Sequence, residues 1–183
     1  MPSKRFWAKK NPRLDYIETV KKTEFFIKNY NYKKFIHISS ISARCEKNTV
    51  YGKNKKTSEN LVKKLKNFLI IRLGPMYGNK LTKGVLIDML DSKIVFINKN
   101  SKYSFTNVNW IAQWVNNNLY KKKGLIELGS NDFIKLKDIA IKIKSNSKFR
   151  GRLDNQIIKS KRIYDTNSKE VYNFLLKKNK DKN

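Results

Sequence analysis

The segment between residues 35 and 78 constrains most strongly what this chain can fold into. An apolar run, FIHI, ends in the paired serines Ser39 and Ser40. A helical pattern then opens with Tyr51 and Lys55, and a second apolar run, FLIIRL, leads into a Gly-Pro pair at residues 74–75. A strand, a helix and a second buried strand in this order predict parallel strands joined by a crossover. Because ligands bind at the carboxyl ends of such strands, the hydroxyl, phenol and ammonium groups indicate a site there.

The alternation of strands and helices continues through the rest of the chain. Hydrophobic spacing predicts helices over residues 15–28, 51–66, 82–90, 108–119 and 168–177, another from residue 134, and strands over residues 35–38, 68–73, 94–97 and 125–128. The pattern predicts an α/β fold with a parallel sheet and flanking helices. We expect an irregular segment over residues 1–14, one domain over residues 15–177, and a disordered basic tail over residues 178–183.

The rarest residue types exclude several classes of site. The single cysteine, Cys45, excludes an internal disulfide and a cysteine-based zinc site, and we expect no bound metal. The single histidine, His37, lies in an apolar strand pattern, which favours packing over a ligand or base role.

No apolar run approaches the ~18 residues of a membrane span, and the basic N-terminus lacks the apolar stretch of a secretory signal. We therefore expect a cytoplasmic protein without a membrane partner.

The net charge of +28 is of the kind that usually indicates a nucleic-acid partner. Here the basic residues are almost all lysines spread along the whole chain, and arginine, which binds phosphates and bases in bidentate geometry, is scarce. We therefore expect no specific nucleic-acid partner, and only nonspecific binding to polyanions at low salt.

Four stretches of the sequence together resemble one enzyme family. They are the paired serines followed by Tyr51 and Lys55, the run RLGPMYG from Arg72, the run YSFTNVNWIAQWV from Tyr103, and the run IELGSNDFIKLKDIA from Ile126. In this order they resemble the extended short-chain dehydrogenase/reductase family, in its NAD-dependent nucleotide-sugar epimerase and dehydratase branch. The resemblance covers roughly residues 15–175.

The resemblance implies roles for individual residues. The positions that match the family's catalytic set are Ser40, Tyr51 and Lys55. The positions that match its cofactor contacts are Ser39, Tyr51, Lys55, Gly74 and Pro75. The implied fold is a partial Rossmann-like parallel sheet with flanking helices and a small C-terminal portion that resembles a substrate domain. The implied cofactor is NAD or NADP, and the implied substrate is a nucleotide sugar. Glu59 matches an acidic residue that is common one helical turn after the lysine.

The implied chemistry depends on the pKa of a tyrosine. A phenol with an ordinary pKa near ~10 is a poor base at neutral pH. We expect Lys55, one helical turn after Tyr51, to lower that pKa and to bind a ribose hydroxyl. Tyr51 would exchange a proton with a substrate alcohol or ketone while Ser40 binds the same oxygen. The hydride would be exchanged with a nicotinamide.

The sequence also departs from the family. The chain has seven glycines and none in the GxxGxxG arrangement that binds a pyrophosphate at a helix N-terminus. Trp110 stands where the family's Phe-x-x-Val-x-Asp signature has its aspartate, and the spacing from Ser40 to Tyr51 is shorter than usual. We therefore expect a truncated form that binds the cofactor weakly or not at all. We also expect an exposed sheet edge at residues 35–38. Three outcomes are open for this edge: a partner covers it, the chain self-associates, or the chain is a gene fragment that folds poorly.

Two other functions remain open at this stage. With nine tyrosines and 35 lysines (42 Lys+Arg less seven Arg), chance alone gives ~1.7 Tyr-x-x-x-Lys pairs, and Tyr30 with Lys34 is a second one. Only the context of Tyr51 distinguishes it, so whether the chain is an enzyme is open. The first alternative is a noncatalytic interaction or scaffold protein that keeps the fold. The second is a basic nucleic-acid-binding protein, which only the charge favours.

Overall fold

The computed structural model describes residues 5–160 and 164–180. Two compact units are present, and each is built around its own strands. The first unit runs to Leu73 and also includes Asn117–Leu128, and the second comprises Gly74–Asn116 and the chain from Gly129 onward. The strands in chain order are β1 (Phe35–Ser40), β2 (Phe68–Leu73), β3 (Met76–Tyr77), β4 (Lys102–Tyr103), β5 (Thr106–Asn107), β6 (Gly124–Leu128) and β7 (Ile134–Lys135). The helices are α1 (Arg5–Lys10), α2 (Pro12–Tyr16), α3 (Lys22–Asn29), α4 (Ser42–Cys45), α5 (Val50–Val62), α6 (Val85–Leu90), α7 (Val108–Asn118), α8 (Leu136–Lys142) and α9 (Glu170–Lys180).

The first unit contains a parallel sheet in the strand order β1-β2-β6. Its central strand β2 is continuously apolar from Phe68 to Ile71, and Leu69, Ile70 and Ile71 are fully buried, as a strand covered on both faces requires. The outer strand β1 pairs with β2 on one side only among the described residues, and the side chain of Ile38 is 48% exposed. The prediction of a parallel α/β sheet with an outer strand at residues 35–38 is therefore confirmed.

The N-terminal segment is more helical than the sequence predicts. Helix α1 and most of α2 fall within residues 1–14, where we expected an irregular segment, and a π-helical turn at Ile17–Lys21 joins α2 to α3. Ala8 and Asp15 are completely buried, because α1 and α2 pack against α5. Few apolar residues recur at helical spacing here, so packing and not periodicity determines these helices.

Helix α5 begins with a close approach to the segment before it. The Thr49 side chain caps the helix by accepting a hydrogen bond from the Gly52 backbone N–H at 3.0 Å. A Cβ atom at Gly52 would lie 2.1 Å from the carbonyl oxygen of Glu46 and 2.8 Å from that of Ser42. Glycine is therefore required for α4 and α5 to come this close, beside Tyr51. Helix α4 was not predicted, and α5 ends four residues earlier than predicted.

Lys34 has a structural role in the first unit. Its ammonium donates to the carbonyl oxygens of Leu119 at 2.6 Å and Tyr120 at 3.3 Å, and also to that of Lys122. These carbonyls follow the end of α7, where helical backbone acceptors lack partners. Tyr30 lies just after α3, where its ring contacts those of Phe25 and Phe26. Its side chain is 58% exposed. The Tyr30–Lys34 pair therefore lies outside any helix that would make it resemble the Tyr51–Lys55 pair.

The second unit has a larger hydrophobic core and only two-residue strands. Among its fully buried side chains are Phe105, Met89, Leu136 and Ile139. The strand expected at residues 94–97 is replaced by one isolated bridge between Val95 and Phe149. The four two-residue strands were not predicted, because runs this short carry no periodicity.

The tryptophans of the second unit pack against one tyrosine ring. Trp110 and Trp114 meet the ring of Tyr164 edge-on, with centroids 5.7 and 6.1 Å away, and Trp110 Nε1–H donates to Asp165 at 3.0 Å. The last helix, α9, continues through Lys180, so Lys178–Lys180 are helical and not part of a disordered tail. Residues 181–183 lie outside the described residues. No helix of the described chain is long and apolar enough to cross a membrane.

Candidate active site

The carboxyl end of β1 and the first turns of α5 bring three of the predicted residues into one region of the first unit. Ser40 ends β1, and its Oγ accepts a hydrogen bond from the Ser42 backbone N–H at 3.2 Å. The Ser40 side chain also acts on the Tyr51 phenol by lowering its pKa, and Tyr51 lies in the first turn of α5. Lys55 follows one turn later, with Nζ 5.6 Å from the centroid of the Tyr51 ring. A hydroxyl, a phenol and an ammonium thus occupy one face of the same helix–strand junction.

Burial dominates the electrostatics of the phenol. It raises the pKa of Tyr51 above its ordinary value, and the charges of Asp15 and Glu46 raise that pKa further. The Ser40 side chain and the charge of Arg5 lower this pKa, but they do not reverse the direction. The expectation that Lys55 would lower this pKa is wrong for the chain as it stands, because desolvation of the phenolate outweighs the nearby cations.

The Lys55 ammonium is perturbed by the same environment. Burial lowers the pKa of Lys55, while the carboxylates of Asp15 and Glu59 raise it and so favour the charged form. Both carboxylates are completely buried. The charge of Lys55 is therefore favoured by two carboxylates that come from different helices, α2 and α5.

Sequence reasoning missed three charged residues that act on Tyr51. Asp15 Oδ2 accepts a hydrogen bond from Asn54 Nδ2 at 2.6 Å, and Arg5 Nη1 donates to Glu46 Oε1 at 2.8 Å. The partners are 39 and 41 residues apart in the chain. No local spacing connects them, so only the docking of α1 and α2 onto α5 reveals their proximity.

The single histidine packs against α5, next to the turn that contains Lys55. His37 Nε2 lies 3.0 Å from Ser58 Oγ, and Ser58 Oγ donates to the Lys55 carbonyl oxygen at 2.9 Å. Because the serine has one hydroxyl proton, its oxygen accepts from His37, which fixes the proton on Nε2. Burial and the charge of Lys55 lower the pKa of His37 to about 4, against a smaller opposing effect of Glu59. His37 is therefore neutral at pH 7, and the prediction of a packed strand residue is confirmed.

The remaining predicted cofactor contacts have separate surroundings. Ser39 is buried, and its hydroxyl donates to Glu59 Oε1 at 2.7 Å. Gly74 and Pro75 belong to the second unit. A Cβ atom at Gly74 would lie 3.0 Å from Ile158 Cδ1, and the Pro75 carbonyl accepts from the Thr106 N–H at 3.0 Å. Their roles at a cofactor stay predictions.

A cleft in the first unit lies away from these residues. It has a volume of about 530 Å³ and is lined by Tyr32, Lys33, Leu65, Lys66, Asn67 and Lys123. These residues precede β1, β2 and β6, so the cleft is at the amino ends of the strands, opposite Ser40. Among the described residues no cluster of histidine, cysteine, aspartate and glutamate has the arrangement of a metal site.

Comparison with known proteins identifies the fold. No protein-family model and no curated protein sequence matches the chain. Among solved structures, an NAD-dependent NDP-hexosamine 5,6-dehydratase involved in tunicamycin biosynthesis gives a TM-score of 0.74 at 12% identity, over 96% of this chain and 73% of that one. L-threonine 3-dehydrogenase from Trypanosoma brucei gives 0.73 at 13% identity, over 97% and 73%. UDP-N-acetylglucosamine 4-epimerase from Methanobrevibacter ruminantium M1, in complex with UDP-N-acetylmuramic acid, gives 0.70 at 15% identity, over 97% and 73%.

The structural neighbours are enzymes of the NAD-dependent epimerase/dehydratase type, and the chain shares their Rossmann-like α/β fold. The fold that the sequence resemblance implied is therefore confirmed. At identities of 12–15% the likeness extends to the fold and not to the substrate.

Proposed function

We propose that this chain is an NAD(P)-dependent oxidoreductase of the epimerase/dehydratase type that acts on a nucleotide sugar through Ser40, Tyr51 and Lys55. The observation that carries the proposal is the arrangement of Ser40 at the end of β1, Tyr51 in the first turn of α5, and the Lys55 ammonium 5.6 Å from the centroid of the Tyr51 ring. It lies at the carboxyl end of a parallel sheet, where such folds bind ligands. Two of the three neighbours carry a nucleotide sugar in their names, which supports this substrate class over an amino acid.

The protonation state of Tyr51 determines whether the site is ready to give or to accept a proton. Its raised pKa keeps the phenol protonated at neutral pH, so Tyr51 is ready to give a proton to a carbonyl oxygen. The Ser40 hydroxyl donates to the same oxygen and stabilises the charge that develops there. In the opposite direction the phenolate forms less readily, and the charge of Arg5 is the cationic influence that favours it. The Lys55 ammonium lies 5.6 Å from the centroid of the same ring.

The residues present fit one half of a dinucleotide. The Lys55 ammonium and the Tyr51 phenol are donors suited to the hydroxyls of a nicotinamide ribose, and both belong to one rigid helix. The GxxGxxG turn that binds the pyrophosphate is absent from the sequence. A nicotinamide held by these residues supplies or accepts the hydride. We therefore propose that the first unit orients the nicotinamide end and holds the dinucleotide weakly.

Turnover of nucleotide sugars by three variants tests the proposal. The chain is incubated with NAD or NADP and a panel of UDP-sugars, and products are separated by anion-exchange chromatography. Tyr51→Phe removes only the phenolic proton and should abolish turnover, and Ser40→Ala should lower it by about 10²-fold. Tyr30→Phe is the matched control, because it alters the other Tyr-x-x-x-Lys pair, and should match the wild type. Near-normal turnover by Tyr51→Phe would contradict the assignment.

A noncatalytic interaction function is the second candidate, because β1 has a free edge. Backbone donors and acceptors along that edge are unpaired among the described residues, and Ile38 is 48% exposed. A second copy or another protein would cover this edge by adding a strand. Light scattering after size exclusion tests self-association: Ile38→Lys should reduce the mass of any oligomer. Ile141→Lys, at an isoleucine that is 74% exposed in the second unit, is the control. A monomeric wild type would exclude the self-association form.

A further inference from the structure

A row of polar side chains crosses the otherwise apolar sheet of the first unit. Ser39 on β1 is in register with Arg72 on β2, and Arg72 is in register with Glu127 on β6. Residues in register on adjacent parallel strands project from the same face, so the three side chains form one line across the sheet. Their exposed fractions are 4%, 7% and 7%.

Glu59 on helix α5 packs against this row and binds two of its side chains. Its Oε1 accepts from Ser39 Oγ at 2.7 Å and from Arg72 Nε at 2.7 Å, and its Oε2 accepts from Arg72 Nη2 at 2.6 Å. Both oxygens of a completely buried carboxylate are therefore held by donors from two strands. This fork-to-fork geometry with an arginine fixes direction as well as distance.

The network continues from Arg72 to a second carboxylate. Arg72 Nη1 donates to Glu127 Oε1 at 3.3 Å, and Arg44 binds both oxygens of Glu127 at 2.6 and 2.9 Å. Positive and negative side chains thus alternate, and the four charges sum to zero. Buried ion pairs of this kind add little net stability relative to apolar packing, because desolvation offsets their attraction. Their geometric specificity is the larger effect.

Glu59 is eight residues after Tyr51 and four after Lys55, so all three side chains lie along one side of α5. A helix is rigid over two turns, about 12 Å. Fixing Glu59 against β1 and β2 therefore fixes where Tyr51 and Lys55 stand relative to Ser40, which is on β1 itself.

We propose that Glu59 is a positioning residue, clamped by Arg72 and Ser39, that sets the place of Tyr51 and Lys55 against Ser40. The inference rests on the proposed function for its catalytic consequence, but not for its structural one. It also assigns the Ser39 hydroxyl to this clamp and not to a cofactor. Glu127 shares Arg72 but belongs to β6, so it serves the network without anchoring α5.

Glu59→Gln and Glu127→Gln form a matched pair of variants. Each removes one buried negative charge from the same network, and only the first loosens α5. The single histidine of the chain gives a readout that needs no activity, because His37 Nε2 bonds Ser58 of α5. Long-range ¹H–¹⁵N spectra at pH 7 show its tautomer directly.

We expect Glu59→Gln to weaken the Nε2-protonated pattern of His37, and Glu127→Gln to leave it as in the wild type. Turnover of a nucleotide sugar should fall by about 10²-fold in kcat for Glu59→Gln, the effect of a displacement near 1 Å. It should fall less than about threefold for Glu127→Gln. If Glu59→Gln does not fold, the double variant that carries Glu59→Gln and Arg72→Gln removes both charges of the ion pair. This double variant is then compared with Glu127→Gln instead.

A His37 pattern that is unchanged in Glu59→Gln, or changed equally in both variants, overturns the positioning role. Absence of turnover in the wild type contradicts the proposed function and leaves the His37 comparison to decide this inference alone.

Discussion

Replacing Gly52 by alanine sets two physical effects against each other. Alanine is favoured over glycine inside a helix by about 1 kcal/mol, so helix propensity alone predicts a more stable protein. In the structure, however, the new methyl carbon would lie 2.1 Å from the Glu46 carbonyl oxygen and 2.7 Å from its carbon. Both are backbone atoms, which cannot rotate away, and normal contact needs about 3.5 Å.

The required shift of more than an ångström must separate α4 from α5. Forced overpacking of this kind costs about 1–3 kcal/mol or more, which exceeds the propensity gain. We therefore expect Gly52→Ala to lower the free energy of unfolding by about 1–2 kcal/mol and Tm by roughly 2–8 °C.

Urea unfolding followed by circular dichroism measures the effect. Lys53→Ala is the control: the position is adjacent and exposed in the same helix, and should change the free energy of unfolding by less than about 0.5 kcal/mol. A Gly52→Ala protein that is more stable than the wild type would refute the close approach of α4 and α5.

Three further predictions concern ligands and pH. Calorimetric titration with NAD(H) and NADP(H) should show weak or no binding, and a micromolar Kd, equivalent to about −8 kcal/mol, would contradict the expected loss of the pyrophosphate contacts. Filter binding of DNA and RNA should be indifferent to sequence and fade by about 0.15 M salt, whereas selective retention there would favour a nucleic-acid function. Because the pKa of His37 is about 4 in the folded chain and near 6.5 when unfolded, the unfolded state binds more protons between these values. The contribution of His37 to the free energy of unfolding should thus be fully present above pH 6.5, and the free energy should fall by about 2 kcal/mol from pH 7 to pH 5. Urea unfolding at both pH values measures this change, and His37→Gln should remove most of it.

The parts of the fold that the sequence predicts are those determined by local pattern. Strand β2 was predicted with its observed bounds, Phe68–Leu73, because a run that is apolar except for Arg72 lies between Asn67 and Gly74. Helix α7 was predicted to within one residue from its apolar spacing. By contrast, α1 has one buried residue, Ala8, and no apolar stripe, so its helical state depends on packing against α5.

In the candidate site too, the sequence predicts the residues that local pattern determines and misses the others. Ser40, Tyr51 and Lys55 could be found because their order along the chain encodes their proximity. Arg5 and Asp15 could not, because they reach Tyr51 from helices that the sequence only partly reveals. The direction of the Tyr51 pKa was predicted wrongly for a related reason: the sequence shows which charges are near, whereas desolvation depends on how much chain covers the phenol.

The distribution of the tryptophans gives each unit its own optical reporter. Trp7 belongs to the first unit, and Trp110 and Trp114, which share contacts with Tyr164, belong to the second. A Trp7→Phe variant would emit only from the second unit, and a variant with both Trp110→Phe and Trp114→Phe only from the first. Unfolding curves from the two variants, overlaid on the circular dichroism curve, measure whether the two units melt as one cooperative block or in sequence.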